Sequence, residues 1–443
     1  MAWCCTSPKV SIDIRKVMEM AETDTNYFMA DQAFYNDPFR YLDEIRSRSA
    51  VYREPHYGVY MVTGLGDCLK VWRDEEHYSS VNTVSGPFLE WPQPLEGDDL
   101  SEQIDRHRLQ LGPRNNQLVT LDGTVHESVR ALVAILFTPA RLKKVEDFIG
   151  DYASQLIDRM VAQGELEVYN GPAREMTFYV IISLLGIPMD EAHKLLERTE
   201  ANAQTMGRIG QPDGTGGVAA GNIGFGQSYE YFVEQVKAVR ENPSEGILNT
   251  LATSTFRDGT LPSPEYIANI CTVLFGAGQE STARMITHCL RYIAEDPALQ
   301  DELRSDPSKL TNFIEEVLRY ESPSKGTFRL AKKNTTLAGV DIPAGSTLCL
   351  LRIAANRDPE VFPDPHTLDP ARANARQHVA FGGGVHMCIG QSLARMEINK
   401  FLRICLEKTS HISLVPGKNT FDYDFSYQLR GLQHLYIKMT PRN

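Results

Sequence analysis

Apolar residues recur at three- and four-residue spacing along much of this chain, which predicts a mainly helical protein. A short helix is expected over 38–47, followed by the strand-like run VYREPHYGVYMVTG from Val51, in which Pro55 to Gly58 supplies a hairpin turn. Positions 81–118 break the pattern: SGPFLEWPQPLEGDD holds three prolines and two aromatics, and the stretch is too long for a simple connection. Helical periodicity then resumes from Thr124 to about Gly210 through VRALVAILF and MTFYVIISLLG.

The glycine-rich segment Arg208 to Gly226 reads as a mobile loop between two helices, the second spanning roughly 228–240. The longest helix follows. Ser263 is its N-cap, Pro264 its first residue and Asp296-Pro297 its stop, a span of about 45 Å at ~1.5 Å per residue. Its centre, ICTVLFGAG, is apolar on every face and should cross the interior. After a further helix ending near Tyr320, TTLAGVDIPAGSTLCLLRI alternates about Pro343 to Gly345 and suggests a β-hairpin. A Pro-rich coil to Val379, a glycine cluster, one more helix and the strand-like LQHLYIKM complete the chain. Neither a repeat nor a clean linker divides it. Residues 1–30 read as a loosely held arm and 31–443 as one domain.

Composition narrows the function classes. Lys plus Arg total 45 against 57 Asp plus Glu, a net charge of −12 that excludes a basic, non-specific nucleic-acid binder. The eight cysteines form neither CxxC pairs nor zinc-finger spacing, which suits a reducing cytoplasm. With no apolar leader and no run near ~18 apolar residues, a membrane association is not expected.

Four clusters carry chemistry. In FGGGVHMCIG, residues 381–390, Cys388 sits in a glycine-rich loop ahead of a helix, where backbone N–H groups and the helix dipole favour a thiolate, the form that ligates metal. Without GK[ST], the loop is not a phosphate cradle. Midway along the longest helix, Ala277-Gly278-Gln279-Glu280-Ser281-Thr282 puts small residues where a flat ligand could approach, and a carboxylate where apolar burial is costly. Glu316 and Arg319 are an i, i+3 pair, and His126 and Arg130 share one helix face; each alone would be an ordinary surface pairing.

Phe381, Gly382, Gly384, His386, Cys388 and Gly390 match the F-G-x-G-x-H-x-C-x-G loop of the cytochromes P450, and the chain resembles that family from about residue 35 to 440. The resemblance implies a P450 fold, mainly α with small β-sheets (α+β), built as a single haem-centred domain. It implies a b-type haem (iron protoporphyrin IX) with Cys388 as proximal thiolate, Phe381 packed near the sulfur and His386 on a propionate. AGQEST resembles the oxygen-activation motif: Glu280 takes the acid position of a proton relay and Ser281 the alcohol that holds dioxygen and its water. Ser281 departs from the commoner Thr, and Thr282 could share the role. Glu316 and Arg319 match E-x-x-R, a structural pair that Arg372 would join. His126, Arg130 and Arg329 are expected around the propionates, and Ala277 and Gly278 against the haem face.

Family topology points to Phe88, Leu89, Trp91, Ser324, Lys325 and Phe425 as substrate contacts, favouring a hydrophobic small molecule. Lys325 would either bind an acidic or oxygenated group or point to solvent. The expected activity is that of a soluble, bacterial-type monooxygenase, placed in the cytoplasm as a monomer and fed by NAD(P)H through a [2Fe-2S] or similar ferredoxin and its reductase. A haem-thiolate peroxygenase or coupling catalyst, and a non-catalytic haem sensor, are the competing readings; the Glu280–Ser281 pair favours dioxygen activation.

Overall fold

A computed structural model describes residues 25–442 apart from 109, 112–115, 201–221 and 244–245. The expected loop over 208–226 therefore lies outside the described residues up to 221, while its last five positions already belong to the helix Asn222–Glu241. Packing also begins before residue 31, because Tyr27 and Phe28 are buried among aromatic rings.

The organising element is the helix Pro264–Glu295, 32 residues long, hence ~48 Å at ~1.5 Å per residue. Ser263 Oγ accepts from the Tyr266 N–H and starts it. At its end the Asp296 carboxylate accepts from the N–H groups of Ala298 and Leu299 and so opens the next helix, Pro297–Ser305. Its faces are covered by the helices Arg174–Leu185, Asn222–Glu241 and Gln391–Lys408, and with Gly123–Ala134 and Pro139–Gln163 they share the largest apolar core.

Among the described residues, three sheets flank this helical body. The largest has strand order β1 (Val51–Arg53), β2 (Tyr60–Val62), β8 (Thr347–Leu350), β5 (Thr327–Ala331) and β3 (Tyr78–Ser79), with β2 and β8 parallel and Val62 opposite Leu350. A second joins β4 (Glu165–Glu167), β10 (Tyr436–Pro441) and β9 (Thr409–Leu414), and β6 (Thr335–Leu337) pairs with β7 (Val340–Ile342). The 51–64 hairpin forms as expected. The later hairpin turns elsewhere: Ala338 and Gly339, both at positive φ, close β6 onto β7, and Pro343 to Gly345 instead carries the chain to a different sheet. The irregular stretch also holds a helix, Ser101–Arg108, whose largely polar sequence weakens its periodicity.

Candidate functional site

The loop 381–390 is shaped by backbone that only glycine adopts easily. Gly382 and Gly384 have φ of +74° and +64°, and a Cβ on Gly384 would lie 2.7 Å from the carbonyl carbon of Trp72. Cys388 N–H donates to Phe381 C=O at 3.0 Å, closing the loop. The Arg395 guanidinium sits 4.4 Å from the Phe381 ring centroid and fixes that ring beside the turn. The thiol is deep in the molecule yet accessible, because it opens into an interior cavity of about 310 Å³. Burial pushes the thiol pKa upward, against the Gly390 N–H and Arg352, Arg130 and Arg395, which favour the thiolate. The helix start thus moderates the pKa without lowering it below its ordinary value.

Ala277, Gly278, Ser281 and Thr282 line the same cavity from the long helix. Gly278 meets the facing helix: a Cβ there would lie 2.5 Å from Ile181 Cδ1, so its smallness admits the Ile181 side chain. Ser281 Oγ donates to Ala277 C=O at 2.9 Å. Glu280 is absent from the lining. It accepts from Tyr169 Oη at 2.6 Å and pairs with Arg174 at 3.0 Å and Arg284 at 3.2 Å. Although burial pushes it upward, Arg174, Arg284 and Tyr169 together hold this carboxyl below its ordinary pKa, as an ion.

Beneath the loop, Glu316 accepts two bonds from Arg319, both 2.7 Å, and one from Arg372 Nε at 3.1 Å, with all three side chains buried. Arg319 donates onward to the carbonyls of Asn356, Pro365 and Thr367, and Arg372 to those of Pro363, Asp364 and Thr367. The pair is therefore an interior clasp rather than a surface contact, and it pins the coil that leads to the cysteine loop.

A set of cationic and imidazole donors converges on one side of the cavity. The His126 and His386 rings lie 4.0 Å apart, and burial followed by neighbouring arginines keeps both neutral, His386 at about 2. Arg130 donates to Met387 C=O, Arg329 to Thr83 Oγ1 and Phe328 C=O, and Ser80 Oγ lies 3.0 Å from His386 Nε2. Both His126 ring nitrogens and Arg352 Nε are buried with no hydrogen-bond partner among the described residues. Stranded donors beside an accessible thiol fit a flat, metal-bearing ligand that carries carboxylates. Arg352, which also lines the cavity, escaped the motif reading because no spacing rule marks it.

Of the expected substrate contacts only Ser324 reaches the cavity wall. Phe88 packs among Phe28, Tyr57 and Tyr427; Phe425 packs on Tyr35; Leu89 and Trp91 lie against the cluster of Val81, Leu100 and Ile104. These rings satisfy themselves in satellite cores. Lys325 neither meets the cavity nor solvent: it is 1% exposed, donates to Ser426 C=O at 2.5 Å and lies 4.1 Å from the Tyr35 ring centroid. The wall is built instead by Ile181, Ile270, Val273 and Leu274, and Asn116, Gln117 and Asn269 add further polar groups to it.

Residues 225–413 match the family model described as Cytochrome P450. Cytochrome P450 144 of Mycobacterium tuberculosis is 31% identical over 403 residues, 91% of this chain and 89% of that protein. The biotin biosynthesis cytochrome P450 of Bacillus subtilis is 26% identical over 414 residues, 92% and 98% of the two chains. Cytochrome P450 CYP150A6 of Mycobacterium marinum, solved in its substrate-free form, superposes with a TM-score of 0.86 at 34% identity, covering 95% of this chain and all of that one.

Proposed function

Because the chain belongs to the cytochrome P450 family, we propose that this haem-dependent monooxygenase oxidises a hydrophobic small molecule, drawing electrons from NAD(P)H through a ferredoxin and its reductase. The observation that carries the reading is the Cys388 thiol opening into an apolar cavity whose wall also presents Ser281 and Thr282.

Haem, when bound, supplies an iron centre whose thiolate ligand favours O–O cleavage. Cys388 is the candidate ligand; metal coordination removes the thiol proton outright, and Gly390 N–H and the nearby arginines stabilise the resulting charge. His126, Arg130, Arg329, Arg352 and His386 would bind the two carboxylates, satisfying the stranded donors. Ile181, Ile270, Val273 and Leu274 exclude water and bind the apolar guest. Ser281 can release its bond to Ala277 C=O and offer its hydroxyl to the cavity, with Thr282 beside it. Glu280, held ionised between Arg174 and Arg284, would exchange protons with the outside through the partly exposed Arg174 side. Among the described residues no helix is long and apolar enough to cross a membrane.

The test has two arms. The reduced protein should give the red-shifted carbon monoxide band of thiolate ligation, and Cys388→Ala should abolish it. Turnover with NADH, ferredoxin and reductase should exceed turnover with peroxide for a guest that shifts the haem spin state. Faster peroxide turnover would favour the peroxygenase reading.

A further inference from the structure

One face of the long helix Pro264–Glu295 follows the cavity wall, and its chemistry changes along the way. Tyr266 and Asn269 come first, then Ile270, Val273 and Leu274, then Ala277 and Ser281, the stretch that the monooxygenase reading sets against the haem. At ~1.5 Å per residue, Asn269 lies ~12 Å along the axis from Ala277 and ~18 Å from Ser281. The wall is thus polar at one end, apolar in the middle and reactive at the other end.

At the polar end Asn269 Nδ2 donates to the Asn116 backbone C=O at 3.4 Å, which leaves Oδ1 of the same amide as an acceptor. Among the described residues neither that oxygen nor the Tyr266 hydroxyl has a hydrogen-bond partner. Three residues apart, the two groups rise from one face of the helix. The ionisable groups on the wall, among the described residues, sit elsewhere: Arg130 on the Met387 C=O, Arg352 beside Gly382, His386 within the cysteine loop and Glu397 on the helix after it. Arg108, whose C=O accepts from Asn116 Nδ2, commits its guanidinium to Asp122.

An acceptor and a hydroxyl donor side by side are both satisfied by a neutral group that donates and accepts, such as a hydroxyl or a primary amide. A methyl group would bury both without partners, and a ketone would leave the Asn269 oxygen unmet. A carboxylate would lie there with no cation to offset its burial. We propose that the guest is an elongated, uncharged amphiphile whose hydroxyl or amide end binds Asn269 and Tyr266, while its apolar body lies along Ile270, Val273 and Leu274 and its far end meets the haem. The inference rests on the monooxygenase reading above, and it makes Asn269 and Tyr266 specificity-determining residues with no part in the chemistry.

Alkylimidazoles test it in the haem-loaded protein, because the imidazole nitrogen binds iron and fixes one end of the chain. Spectral titrations compare methyl-, hydroxyl- and carboxylate-ended chains on a decyl and on a butyl spacer, the second too short to reach Asn269. For the decyl pair, the affinity of the hydroxyl-ended relative to the methyl-ended chain should fall about fivefold or more in Asn269→Leu, a cycle that cancels the different hydration of the two ends. For the butyl pair the ratio should stay as in the wild type. Tyr266→Phe, which removes only the hydroxyl, should lower the decyl ratio as well and serves alone if the Leu variant does not fold. In the wild type the decyl carboxylate should bind at least tenfold more weakly than the decyl alcohol. A decyl ratio indifferent to both variants, or a carboxylate bound as tightly as the alcohol, overturns the proposal. Protein that shows the ratio change but lacks the thiolate carbon monoxide band refutes the monooxygenase reading and leaves the polar end of the cavity standing.

Discussion

The glycines of the cysteine loop look equivalent in the motif, but the structure ranks them, and alanine substitution exposes the ranking. At Gly384 the φ of +64° costs an L-residue ~1–2 kcal/mol, and the new Cβ would press into the Trp72 carbonyl, which only backbone movement relieves. Overpacking of that kind adds ~1–3 kcal/mol, while the stiffer unfolded chain returns ~0.4–1 kcal/mol. The net loss is therefore ~2–4 kcal/mol, a large part of the ~5–15 kcal/mol that holds a typical domain folded. Gly382→Ala meets the same backbone cost, but its Cβ would touch only the flexible end of Arg352, at 3.2 Å, so ~1 kcal/mol is expected. Gly390 has φ −85°, and a Cβ there would lie 3.8 Å from Phe137 and 3.9 Å from the Cys388 sulfur; Gly390→Ala should be neutral or slightly stabilising before haem is added. Urea denaturation of the three haem-free variants reads these differences directly. The reasoning is refuted if Gly384→Ala unfolds within ~0.5 kcal/mol of Gly390→Ala, a gap no larger than an ordinary neutral substitution.

Two further predictions concern buried charge. Glu316→Gln leaves Arg319 and Arg372 in the interior with no counter-charge and should cost ~3–5 kcal/mol, measurable as a fall in denaturation midpoint; a loss under ~1 kcal/mol would mean that the carbonyls alone hold these cations. His288 is fully buried with neither ring nitrogen partnered among the described residues, and burial lowers its pKa from 6.5 to about 4, helped by Arg430, Arg291 and Arg284 and opposed by Glu321. Between those values the unfolded chain binds the extra proton, so His288's share of stability is intact above pH ~6.5 and is lost as pH falls toward ~4, to a total of ~3 kcal/mol. His288→Leu should flatten the stability–pH curve over that window; an unchanged slope would locate the titration elsewhere.

What the sequence disclosed depended on whether spacing constrains direction. The cysteine loop, the Glu316–Arg319 pair and the His126–Arg130 face were legible because each motif fixes residues within one or two turns of backbone. The clasp's third member, Arg372, was reachable only through the family pattern. Direction was lost where a side chain has two apolar destinations: Phe88, Trp91 and Phe425 could face a guest or one another, and ring packing won. Lys325 shows the same limit for charge, since Tyr35 and the Ser426 carbonyl accommodate an ammonium that composition alone assigns to water or ligand. Arg352 carries no local signature, because its importance lies in which cavity it meets.

The parallel pairing of β2 with β8 ties residues 60–62 to residues 348–350, and Gln32 donates to the Tyr423 carbonyl at 2.7 Å. On the ribosome the first strands therefore emerge long before their partners exist, and nothing nearby can complete that sheet. Closing such loops is entropically slow, so folding should finish only after the segment around Tyr423 is released, with the early hairpin exposed to aggregation or chaperone capture meanwhile. The cysteine loop is likewise synthesised after all five strands of that sheet. Haem thus meets its ligand only after the long helix and the main sheet have been made, and a product that stops before residue 388 is a protein without a site.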